Sequence, residues 1–168
     1  VVRMKSVTRH NSRRTRRVQP NRRGTTLVEF AMVLPVFFTF VFGIVEYGRL
    51  QLVSNMLKTA CRTGARLGST EDVTTAEATA RVEEILSAAL DTADLTVIVK
   101  DASVFDTSGP YPTSAANYAA LSDVELDDIE PRQLFLIRAS VAYNDIALIP
   151  FSVLNGVQLS GQALMRHE

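Results

Sequence analysis

The feature that most constrains this chain is an apolar run of 19 residues, from Leu27 to Val45. A helix of that length crosses the hydrocarbon of a bilayer, which needs about 17–25 apolar residues. Glu29 stands two residues into the run. A carboxylate at mid-membrane costs roughly 2.5–3.5 kcal/mol on insertion scales, less toward the interface, so an ionisable group there asks for a function. Immediately before the run stand Arg22, Arg23 and Gly24.

The overall formal charge of zero hides a segregation. Residues 1–24 hold nine of the 18 Lys and Arg and no acid, leaving nine bases against 18 acids in the rest. A basic arm can bind nucleic acid, but this one has no interleaved aromatic residues and no nucleic-acid motif, and it abuts an apolar span. The positive-inside rule explains it more simply: the arm stays in the cytoplasm while the C-terminal part crosses. No nucleic-acid partner is expected; the lipid bilayer is.

Three kinds of segment begin this way. A cleaved secretory signal has a shorter apolar core, about 7–15 residues, and a small-x-small site behind it, whereas "EYGRLQLVSN" follows here. A plain signal anchor fits length and flanks but gives Glu29 no role. The third kind is a prepilin-type signal, cut on the cytoplasmic side after a glycine that follows basic residues, with glutamate fifth in the mature chain. Cutting between Gly24 and Thr25 makes Glu29 the fifth residue.

The resemblance extends along "RRGTTLVEFAMVLPVFFTFVFGIVEYGRLQLVSNMLKTACRTGARLGS". Gly24, Val28-Glu29-Phe30-Ala31, Leu34-Pro35, Gly43, Glu46-Tyr47-Gly48-Arg49 and Ala60 to Arg66 follow the opening of TadE-like proteins, minor pilins or pseudopilins of tight-adherence pilus systems. The ending "SGQALMRHE" is similar to that family's C-terminus. The resemblance implies a precursor cut by a prepilin peptidase and a mature subunit that works with an inner-membrane assembly platform and other pilins in surface adhesion. It also implies that Glu29 neutralises the new α-amine of Thr25, on its own chain or a neighbour's. The residue-level alternative is that Glu29 sits at headgroup depth and favours the helix dipole.

Pro35 lies inside the span, where it removes one backbone donor and crowds the preceding turn, so a kink or local opening is expected there. Beyond the membrane, Leu50, Val53, Leu57, Ala60, Gly64 and Leu67 form a stripe at 3-4 spacing, which continues the helix. Thr25 to Leu67 would span about 65 Å at 1.5 Å per residue. Gly68-Ser69 then ends it.

Thr74 and Glu77 have capping-box spacing, and Ala78, Val82, Ile85, Leu86, Ala89 and Leu90 make a second stripe. "LTVIV" (95–99) and "QLFLIRASVAY" (133–143) read as strands, and "LNGVQLSGQALMR" as a turn into a third. Residues 106–131 read as a long loop with one helical turn near 115–121. The predicted fold class is α+β: a long N-terminal transmembrane and stalk helix, then a small head with a second helix and an antiparallel sheet of about three strands. The expected organisation is a basic leader (1–24), a transmembrane helix (25–47), its stalk continuation (48–68) and an exported head (69–168).

Nothing suggests catalysis. There are two histidines, His10 and His167, and no CxxC, P-loop or HExxH. The acids Asp123, Glu125, Asp127, Asp128 and Glu130 lack the glycine and spacing of an EF-hand loop and read as a solvated surface, so no metal or cofactor is expected. Cys61, the single cysteine, cannot form an internal disulfide and reads as a small buried residue, an intermolecular bridge being the other option. The competing functional class is an uncleaved, signal-anchored binding module of the envelope.

Overall fold

The computed structural model describes residues 22–107, 110–149 and 151–168. Residues 1–21 of the expected basic leader (1–24), which hold seven of its nine basic residues, lie outside this range. The chain forms two compact units, one ending at Thr39 and one running Phe40–Glu168.

Helix α1 runs Arg22–Gly68 and is long and apolar enough to cross a membrane, with none of its most apolar stretch buried inside the protein. Helix α2 is Thr75–Ser87, and strands β1 (Leu95–Asp101), β2 (Leu134–Ala142) and β3 (Gln158–Arg166) form one antiparallel sheet in the order β1-β2-β3. Short helices α3 (Ala115–Ala119) and α4 (Tyr143–Ile146) lie in the connections. The α+β class read from the sequence is the class observed.

The core lies between the helices and one face of the sheet. Val99, Phe135, Ile137, Ala139 and Val141 alternate with outward residues along the strands and meet Leu57, Cys61, Ala65, Ala78, Val82 and Leu86. Helix and sheet approach closely at Gly161, paired with Ala139 in the register. A Cβ on Gly161 would lie 2.4 Å from backbone atoms of Leu57 and Lys58. Only a residue without a side chain lets α1 come this near. The Cys61 thiol lies over the same spot and donates to the Gly161 carbonyl at 3.3 Å.

The stripe on α1 differs from the expected one at both ends. It begins at buried Glu46 and finishes on Ala65 and Gly68, while Leu67 is exposed. A strict 3-4 alternation averages 3.5 residues, and against the 3.6 of a straight helix it drifts by about 20° per heptad. By position 67 the drift has carried the leucine out of the core and brought Gly68 in, beside Leu126. Ala89 is also exposed, because α2 stops at Ser87 and its helical phase no longer applies.

The capping box forms as expected: Thr74 Oγ1 accepts from the Glu77 N–H at 3.2 Å, and Glu77 Oε2 accepts from the Thr74 N–H at 3.0 Å. The Thr74 N–H and the Thr74 hydroxyl, which also donates to Glu77 Oε2 at 3.0 Å, hold the exposed Glu77 carboxyl below its ordinary range. The loop between β1 and β2 is fastened rather than loose. Leu126 and Ile129 enter the core, and Thr75 Oγ1 accepts from the Leu126 N–H and donates to the Val124 carbonyl. Tyr118 of α3 covers the second face of the sheet, its ring 4.4 Å from Arg138 Cζ. Asp123 pairs with Lys100 at 2.6 Å, and Glu125, Asp127, Asp128 and Glu130 are exposed to solvent.

Candidate functional site

The residues singled out by the sequence sit in the first turns of α1. Gly24 and Thr25 are exposed and helical, so the Gly24–Thr25 peptide bond lies within the first turn of α1. A Cβ on Gly24 would meet nothing within 4 Å, so space does not require glycine there.

Glu29 is exposed, and among the described residues it has no ion-pair partner. Its place in the helix differs from the expected one. Because α1 starts at Arg22, Glu29 is not in the first turn, which holds no acid. Helix-dipole stabilisation fades within one turn of the terminus, so in the uncut chain it gives little to this carboxylate. Cutting at Gly24 would move the helix start to Thr25. Positions 25 and 29 are then i and i+4, neighbours on one face with Cβ atoms about 5–6 Å apart. The same chain's new α-amine is within reach.

The flanking side chains, Leu27, Val28, Phe30, Met32 and Val33, are exposed on every side of the helix. A helix apolar all round requires an apolar surrounding, a bilayer or other helices. Helix α1 runs unbroken through Pro35, although Pro35 has no N–H to give Ala31. One turn on, the Thr39 hydroxyl donates to the Pro35 carbonyl at 2.8 Å.

Residues 24–66 match the family model described as TadE-like protein. Over that segment the chain is similar to TadE-like proteins. The match covers about a quarter of the 168 residues and stops before α2, so the similar C-terminal ending lies outside it. No curated protein matches the chain, and no solved structure does.

The matched segment holds one feature for which sequence reasoning found no role. Glu46 is 2% exposed, and neither carboxylate oxygen has a hydrogen-bond partner among the described residues. Its neighbours Val45 and Tyr47 are exposed, so the head covers one side of the helix here. Arg49 Nε donates to the Ile146 carbonyl at 2.7 Å, which brings α4 to this level. The signal was available: extending the stripe back by four residues from Leu50 reaches Glu46.

Proposed function

We propose that this chain is a minor pilin or pseudopilin that helps assemble a tight-adherence pilus used in surface attachment. One observation carries the reading: basic residues, Gly24, and Glu29 five residues on stand in register at the start of a TadE-like apolar helix. The basic leader keeps the N-terminus in the cytoplasm, α1 crosses the inner membrane once, and residues 69–168 lie on the far side. A prepilin peptidase cuts between Gly24 and Thr25. The exposed position of that bond in the first turn suits an enzyme that must unwind it.

The freed amine at Thr25 then pairs with Glu29 of its own chain, or of a neighbour in the assembly platform or fibre. At about 4 Å and an effective dielectric constant near 20, the attraction is worth about 4 kcal/mol, and it offsets part of the cost of holding each charge in an apolar setting. The protein's part is structural rather than catalytic, and its partners are the peptidase, the inner-membrane platform and other pilins.

The test is a pair of substitutions in cells that make the pilus. Gly24→Ala should leave the precursor uncut. Glu29→Gln should be cut normally yet yield fewer pili, and an unchanged pilus count would remove the pairing role.

A further inference from the structure

We infer that the head carries a second, shallow membrane contact: the connector between α4 and β3 rests on the bilayer at the boundary between its headgroups and acyl chains. The inference rests on the reading of α1 as a membrane anchor.

The argument starts on α1 within the unit Phe40–Glu168. Phe42, Ile44, Val45 and Tyr47 are exposed, so the helix is lipid-compatible up to Tyr47. Tyrosine is enriched at membrane interfaces, where its ring bridges apolar and wet surroundings. Arg49, just beyond, holds the Ile146 carbonyl and so ties the head's connector to the helix at the level where the apolar run ends.

The composition of the connector suits that position. Residues 147–161 contain no ionisable side chain. Leu148 is 62% exposed, Val153 is 90% exposed, and Val157 is exposed as well. Beyond Gly68 the head exposes only two other large apolar side chains among the described residues, Tyr111 and Leu164, so the exposed apolar surface is concentrated on this connector. The connector is also braced. Buried Tyr143 donates its hydroxyl to the Ile149 carbonyl at 3.0 Å and accepts from the Phe151 N–H, while its own N–H bonds the Val157 carbonyl at 2.9 Å. With the backbone fixed on both sides, Leu148 and Val153 do not turn into the core. Apolar side chains held next to a span, on a segment that carries no ionisable side chain of its own, fit the headgroup–acyl boundary, where binding grows with buried apolar area.

The chain has no tryptophan, so each substitution adds a single fluorophore. Leu148→Trp, Val153→Trp and, as a control remote in sequence from the connector, Tyr111→Trp would be made in the full chain. The proteins would be reconstituted into phosphatidylcholine vesicles with or without lipids brominated high on their acyl chains. Protection of buried Cys61 from thiol reagents checks that each variant is folded. The expected result is blue-shifted, bromine-quenched emission from the indoles at 148 and 153 and unquenched emission from that at 111. Protein that floats with the vesicles while all three indoles stay unquenched would overturn the inference and leave the anchor intact. A blue shift without quenching would also overturn it, assigning the patch to a second copy of the chain. Protein that does not float would refute the anchor itself, and this inference with it.

Discussion

Replacing Gly161 with alanine tests the contact that joins α1 to the sheet. The added Cβ would lie 2.4 Å from the Leu57 carbonyl carbon and the Lys58 nitrogen, and 2.8 Å from Leu57 Cβ. Carbon contacts relax to about 3.5–4.0 Å, so helix and strand must part by roughly 1 Å. Neither can yield alone: one is held by its helical bonds and the other by the β2 ladder. Overpacking of this kind costs about 1–3 kcal/mol, and backbone partners place it in the upper half. Alanine recovers about 0.5–1 kcal/mol of the conformational entropy that glycine loses in a strand. The net destabilisation is about 1–2 kcal/mol. Cys61 reports it without further engineering, since it is buried, single in the chain, and hydrogen-bonded to Gly161 itself. Where labelling proceeds through opening of the fold, its rate follows the open population, and 1–2 kcal/mol becomes an increase of about 5- to 30-fold. The assay is thiol labelling of the detergent-solubilised full chain at fixed pH. Gly64 supplies the contrast, because its Cβ would meet Val82 Cγ2 at 2.3 Å, the end of a side chain. Val82→Ala should therefore slow the labelling of Gly64→Ala, whereas Leu57→Ala should not slow that of Gly161→Ala. Unchanged or slower labelling of Gly161→Ala would refute the close approach.

Three further outcomes concern the same core. Burial raises the Cys61 thiol from its ordinary 9.0 to about 11, partly opposed by a backbone hydrogen bond from Ala139 and the charge of Arg138. The folded pKa exceeds the unfolded one, so this contribution, about 2–3 kcal/mol, is complete below pH 9 and is lost as pH rises through about 11. Urea midpoints by circular dichroism should fall over that range more steeply for the wild type than for Cys61→Ala, and parallel curves would contradict the shift. Glu46→Leu should raise the head's stability by about 1–3 kcal/mol, since a buried carboxyl group without a hydrogen-bond partner gives way to a side chain that needs none; a loss of stability would contradict the lack of a partner. Thr74→Ala should cost about 0.5–2 kcal/mol by removing the α2 cap, and an unchanged midpoint would show that the box is not holding the helix.

The parts legible in the sequence were those set by local rules. The cap at Thr74 depends on two side chains three residues apart, and the strands announced themselves through β-branched runs such as 95–99. The candidate site was legible because Gly24 and Glu29 have a fixed spacing on one helix. The parts missed depend on partners far away in sequence. Leu67 and Ala89 fell off their stripes because helix drift and the end of α2 act over distances that a spacing rule ignores. Gly161 looks ordinary until β3 is set against α1, about 100 residues earlier. The helical turn in loop 106–131 was legible but its anchoring was not, because the pairing of Tyr118 with Arg138 across the sheet leaves no local pattern.

The most direct test of the account is the intact mass and N-terminal sequence of the membrane-extracted protein, from cells with and without their prepilin peptidase. The account predicts a mature chain beginning at Thr25 when the peptidase is present and an uncut leader when it is absent. A leader retained in both would contradict it: the chain would then be a plain signal anchor, and its function would lie in the head.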